Sequence, residues 1–243
     1  MTALSRREFL TRLGGASATL PLDLIRARRA GAVIPALLSS PSPKGQRVVL
    51  VDPGGRCVLR ESVAGFAQGL AAAGVAHELF QAGAIRLSKL LLVPGATLGS
   101  LAFTEELCAC AERGTTVLYE SGAAYAAPQA FATEQRLLAR CFGVDVRPPV
   151  HLGTETSEAA GEPRCTPYIV YAWPTRLHVR DFSRIIPVVA PTSCAMATYG
   201  ETPVACRREV GRGAFIFLGS PLGPHLLAND REAHAWLRAL VAA

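Results

Sequence analysis

One stretch of the chain sets nucleophile and acid types at a spacing that could do chemistry. Tyr119-Glu120-Ser121-Gly122-Ala123 follows a short apolar run and ends on small residues. A nucleophile on a sharp strand-to-helix turn needs such small neighbours. Glu120 is a candidate general acid or base, because burial would raise its pKa. Ser121 is a candidate nucleophile, and it would need an imidazole to take its proton. His225, five residues past Ser220, could fold back toward it. Together they would suit a hydrolase or a carbohydrate-processing enzyme. Each also has a plainer role. The plainer role has the greater weight: Ser121 as a turn or N-cap serine, Glu120 as a carboxylate held by helix N-terminal amides, and His225 as a loop residue solvated or bonded to backbone.

The remaining reactive types offer less. His77, His151, His178 and His234 share no ligand spacing with one another or with a carboxylate. Cys108 and Cys110 fall in a helical pattern, where positions i and i+2 face different ways. No metal and no cofactor is therefore expected. Seven Cys in the chain is an odd number, and Cys165 with Cys194 or Cys206 is a possible disulfide in an oxidising compartment. Asp52-Pro53-Gly54-Gly55-Arg56 follows the first strand but lacks the G-x-G-x-x-G of a dinucleotide loop. Tyr168, Tyr171, Trp173 and Arg176 cluster in a Pro-broken segment. Aromatic and Arg anchors suit an interface, with core or edge packing as the alternative.

Composition narrows the class. The chain has 243 residues, of which 50% are hydrophobic and 18% charged. Global disorder is excluded, and no apolar run is long enough for a polytopic membrane protein. The net charge of +6 is concentrated at the N-terminus, where Arg6, Arg7, Arg12, Arg26, Arg28 and Arg29 stand against Glu8 and Asp23. From residue 33 onward 19 cations face 17 carboxylates, so the clustered basic surface of a nucleic-acid binder is missing.

The N-terminal Ser5-Arg6-Arg7-Glu8-Phe9-Leu10 resembles a twin-arginine export signal, with Thr11 in place of the usual Lys. Arg6, Arg7, Phe9 and Leu10 carry the match. A weakly apolar stretch follows, and Ala30-Gly31-Ala32 supplies a cleavage site at Ala30 and Ala32. The resemblance implies a periplasmic protein, with membrane association possible through an uncleaved leader. Residues 1–32 are read as this signal, 33–46 as a Pro- and Ser-rich linker, and 47–243 as one domain.

Within that domain short apolar runs alternate with helical patterns. Strands are expected at 47–52, 75–80, 89–93, 115–119 and 213–219. Helices are expected over 61–73, from a Thr104 cap to Arg113, over 128–142, and from an Asn229 or Asp230 cap to the end. Fully apolar strands followed by helices predict a parallel sheet covered on both faces. The fold class is α/β: a flavodoxin-like, doubly wound, mostly parallel sheet. An irregular β segment over 144–209 is inserted before the last strand and helix.

The order of these elements resembles the class I glutamine amidotransferase-like superfamily. The likeness is carried by Leu91-Leu92-Val93-Pro94-Gly95 with the following helix and strand, and by Val210-Gly211-Arg212-Gly213-Ala214-Phe215-Ile216-Phe217-Leu218-Gly219. The last helix carries it too. It is similar above all to non-catalytic relatives, the trimerisation domain of family 42 β-galactosidases and trehalose-utilisation-like domains. Against the active members' pattern, Glu120 takes the place of the nucleophilic Cys, Ser220 that of the His and Leu222 that of the carboxylate. The resemblance therefore implies a scaffold without its glutaminase chemistry. The expected partner is another protein or a second copy of the chain, in a periplasmic or membrane-associated complex.

Overall fold

The computed structural model describes residues 48–81, 88–152, 168–181, 183–189 and 194–243. The export motif with Arg6, Arg7, Phe9 and Leu10, the cleavage residues Ala30 and Ala32, and Cys165 lie outside them. The chain runs through β1 (Val48–Asp52), α1 (Arg60–Ala72), β2 (His77–Gln81), β3 (Leu90–Ala96), α2 (Leu101–Glu112), β4 (Thr116–Ser121) and α3 (Pro128–Phe142). There follow β5 (Asp145–Val146), β6 (Val150–His151), β7 (Tyr168–Tyr171), β8 (Leu177–Arg180), β9 (Arg184–Ile185), β10 (Val188–Val189), β11 (Ala195–Tyr199) and β12 (Thr202–Val210). β13 (Gly213–Leu218), α4 (Gly223–Leu227) and α5 (Arg231–Ala242) complete the domain.

Nine strands form one mixed sheet in the order β2-β1-β3-β4-β13-β12-β11-β7-β8. The first five are parallel to one another. The last four extend the sheet antiparallel from β13. β10 pairs with β5 and β6 with β9 in two small separate ladders. The central strands β3 and β13 are buried along their whole length, as a sheet covered on both faces requires.

Strand alternation divides the core in two. Val48, Leu50, Leu90, Leu92, Leu118 and Ile216 face α1, α4 and α5, where Phe66, Leu226 and Trp236 meet them. Val49, Val51, Leu91, Val93, Val117 and Phe215 face α2 and α3, packing on Leu107, Leu138 and Phe142. No helix among the described residues is long and apolar enough to cross a membrane.

Three expectations need correction. The β segment over 144–209 supplies β12, β11, β7 and β8 to the main sheet, and β8 and β12 among them had no expected counterpart. β12 went unseen because Arg207, Arg208 and Glu209 interrupt its apolar pattern. Its pairing with β13 at six positions holds it in place. α2 is capped by Ser100, whose Oγ accepts from Phe103 N, and not by Thr104. Thr104 is buried one turn in and donates its hydroxyl to Ser100 O at 2.9 Å. β3 runs through Pro94-Gly95 to Ala96, with Gly95 at φ +56° and a register shift against β4.

Two helix ends follow the sequence. Gly143 ends α3 in the left-handed conformation, and Asp230 caps α5 by accepting from Glu232 N and Ala233 N at 2.9 and 3.0 Å. Asp230→Ala is expected to cost about 1 kcal/mol, read as a lower urea midpoint at unchanged slope.

Candidate functional site

Glu120 and Ser121 belong to the last two positions of β4 and not to a turn. Successive residues of a strand point to opposite faces. The two candidates are therefore separated by the sheet and cannot serve one reaction centre together.

Glu120 points to the α1 and α4 side and has no solvent exposure. Its Oε1 accepts from Leu222 N at 2.5 Å and from Gly223 N at 2.7 Å, at the start of α4. Its Oε2 and the hydroxyl of Ser62 on α1 are both buried, and neither makes a well-formed hydrogen bond. Burial pushes the Glu120 carboxyl up, while the amide of Gly223, the Ser62 hydroxyl and the amide of Leu222 oppose the shift. The amides here are those of the plainer reading, in which backbone N–H groups at a helix start hold a carboxylate.

Ser121 points to the α3 side, is buried, and donates its hydroxyl to Oε1 of Glu134. Its Oγ accepts from Ala123 N at 3.1 Å. Tyr119, two residues earlier and so on the same face, lies 2.6 Å from Glu134 Oε2 and 2.8 Å from Ala96 O. Leu98 N donates to Glu134 Oε2 at 3.0 Å. Glu134 thus ties α3, the end of β4 and the loop after β3 together. Burial pushes its carboxyl up to about 7, with Ser121, Tyr119 and Leu98 N opposing. The sequence reading missed Glu134, although a lone carboxylate on the apolar side of an amphipathic helix was a signal to follow.

His225 lies in α4, and among the described residues its ring makes no hydrogen bond to Glu120 or Ser121. Ser220 donates to Asp181 Oδ2 at 2.6 Å. Asp181 is buried and also accepts from Ser183 N at 2.8 Å. Asp181 is a second residue the sequence reading missed, for it lies 39 positions from its partner.

The four interface candidates separate. Tyr171 belongs to the core, 5.1 Å from the Trp236 ring. Trp173 is half-buried. Its carbonyl accepts from Trp236 Nε1 at 2.9 Å, and Arg207 lies over its ring at 5.5 Å. Arg176 is exposed. Tyr168 is 38% exposed on β7, next to the edge strand β8, where Arg180 donates to its hydroxyl at 2.8 Å. Of the four, Tyr168 and Arg176 are the exposed ones, Trp173 is half-buried and Tyr171 is buried.

A cavity of about 90 Å³ opens at the amino edge of β1, β3 and β4, between Lys89, Thr116, Trp173, Arg207 and the end of α5. Of its two cations, Arg207 is ion-paired with Glu209 at 2.6 Å. A second hollow of about 260 Å³ lies between β10 and β12, beside Arg147 and Glu201. The Asp52–Arg56 loop closes on itself, with Asp52 accepting from Gly54 N at 2.9 Å and Arg56 lying over Phe103. No group of three or more His, Cys, Asp or Glu among the described residues could hold a metal.

No protein-family model and no curated protein sequence matches the chain. Solved structures do share its fold. An exo-β-1,4-mannosidase from Opitutaceae bacterium strain TAV5 matches with a TM-score of 0.55 at 16% identity, over 82% of this chain and 36% of that one. A β-galactosidase from Rahnella sp. R3 matches at 0.53 and 16%, over 82% of this chain and 31% of that one. A cytoplasmic protein from Salmonella typhimurium LT2 matches at 0.56 and 10%, over 81% of this chain and 99% of that one. The chain thus spans about a third of the two glycosidases and nearly all of the Salmonella protein. At these identities the likeness concerns architecture alone: this chain has a mixed α/β fold related to domains found in glycoside hydrolases.

Proposed function

We propose that the domain is a non-catalytic, amidotransferase-like module on a flavodoxin-like scaffold. It would act as an exported binding or assembly subunit. The observation that carries this reading is the fate of Glu120 and Ser121. Each is buried, each is held by the domain's own groups, and they sit on opposite faces of the sheet. A nucleophile and its base must share one accessible site. The parallel order β2-β1-β3-β4-β13 supports the scaffold, and so does the meeting of Glu120 with Leu222 at the sheet's carboxyl edge. The leader with Arg6 and Arg7 supports export to the periplasm.

The match to about a third of the glycosidase chains suits two kinds of partner, a carbohydrate-processing enzyme or a second copy of this chain. The alternative, that this domain itself processes carbohydrate through Glu120 or Ser121 with His225, draws on the same comparisons.

Purified full-length chain is expected to give an oligomer in light scattering, or to retain a specific protein from native periplasmic and membrane fractions. It is expected to show no turnover of aryl glycosides or glutamine. Turnover that disappears in Glu120→Gln or Ser121→Ala, measured on variants that still fold, would reverse the assignment. For export, Arg6→Lys with Arg7→Lys is expected to leave the chain in the cytoplasmic fraction.

A further inference from the structure

The structure brings together two cysteines that the sequence reading left apart. Cys108 lies on α2 and Cys141 in the last turn of α3, and these helices pack side by side over one face of the sheet. Cys108 Sγ donates to the main-chain carbonyl of Cys141 at 3.4 Å, across 33 positions of sequence. The carbonyl carbon and the side chain of Cys141 share one Cα. Its sulfur is thus a few bonds from the atom that Cys108 Sγ touches, and the two thiols interact electrostatically. Both residues are half-buried, within reach of a small reagent. Cys110, two residues on, is buried and takes Arg113 against its sulfur at 3.7 Å.

We propose that Cys108 and Cys141 form a disulfide that staples α2 to α3 when the folded domain meets a low-molecular-weight disulfide. The thiolate of one cysteine attacks a sulfur of oxidised glutathione, whose S–S bond breaks and releases one glutathione thiolate. The second cysteine, deprotonated, attacks the protein sulfur of this mixed disulfide and releases the second glutathione. Two cysteine thiols are oxidised, one glutathione disulfide is reduced to two thiols, and the cysteine protons pass to the released thiolates. Burial pushes both thiols up, with Glu112 and Glu105 adding to it at Cys108 and Arg140 opposing it in part at Cys141. The reaction is therefore slow at neutral pH and faster in mild alkali. The staple is a property of the folded domain and does not depend on the export reading. A reducing compartment would keep it open.

The test is incubation of the full chain with oxidised glutathione at about pH 8.5, followed by intact mass and tryptic mapping. The expected result is a loss of about 2 Da without a lasting glutathione adduct. The peptide that holds Cys108 should be joined to the one that begins at Cys141. Cys108→Ala should abolish this linkage and Cys110→Ala should preserve it. Thermal unfolding of the oxidised chain should shift upward by about 5 °C. Linkage through Cys110, stable glutathione adducts on both residues, or a downward thermal shift would each overturn the proposal.

Discussion

Gly65→Ala is expected to lower the urea midpoint of the domain steeply and to cut its soluble yield. A Cβ at this position would stand 1.9 Å from Gly223 O and 2.7 Å from its carbonyl carbon, and both are backbone atoms. Neither can rotate away, so α1 would have to retreat from α4 by at least about 1 Å. Retreat would also disturb Gly223 N and Leu222 N, which hold the buried Glu120 carboxylate. Overpacking combined with a disturbed buried charge places the loss above about 4 kcal/mol, a large part of a domain's usual stability. Soluble yield and the urea midpoint measure it. Gly99→Ala is the matched control. A Cβ there meets nothing within 4 Å, so the change should stay within about 0.5 kcal/mol. Equal behaviour of the two variants would refute the account of α1 and α4.

The second large effect concerns pH. Burial pushes the Glu134 carboxyl from 4.5 up to about 7 in the folded chain. Between those values the folded state binds a proton that the unfolded state has released. Stability from this group is therefore full below about pH 4.5 and is lost as pH rises through about 7. At about 1.4 kcal/mol per pH unit the whole span amounts to about 3 kcal/mol. Glu120 is raised as well and contributes in the same direction. Glu134→Gln mimics the protonated acid, whose amide can donate to Ser121 Oγ while its oxygen accepts from Leu98 N and Tyr119. The variant should match the parent near pH 5 and exceed it near pH 8 in urea unfolding. If both chains lose the same stability between these pH values, Glu134 does not titrate as described. Glu134→Ala should be worse than either at every pH, because it leaves Leu98 N and the Ser121 hydroxyl buried without an acceptor.

The two residues that most suggested catalysis show where a sequence misleads. Tyr119-Glu120-Ser121 looked like a turn because Gly122 and the small residues after it resemble an elbow. The strand instead continues through Ser121, and β4 pairs with β13 as far as Glu120. One extra pair of strand residues is a small matter in sequence. In space it sends the carboxylate and the hydroxyl to opposite faces. The helix α1 shows a related limit. Val63, Phe66, Leu70 and Ala73 gave its period, but the buried stripe is Ser62, Gly65, Phe66, Gly69 and Leu70. Glycines carry no apolar signal, and their use here is to let α4 and Leu237 come close.

The sequence by itself determined what depends on near neighbours. The alternation of apolar strands with helices, the Gly143 stop, a cap at Asn229 or Asp230 and the two-sided burial of the parallel strands all follow from local period and backbone preference. The tertiary structure decided every pairing between distant positions: Glu120 with the amides of Leu222 and Gly223, Ser121 with Glu134, Ser220 with Asp181, and Cys108 with Cys141. A side chain's own neighbours in sequence set its direction from the backbone. What it meets there is set by elements packed from elsewhere in the chain, and that information is carried by no single segment.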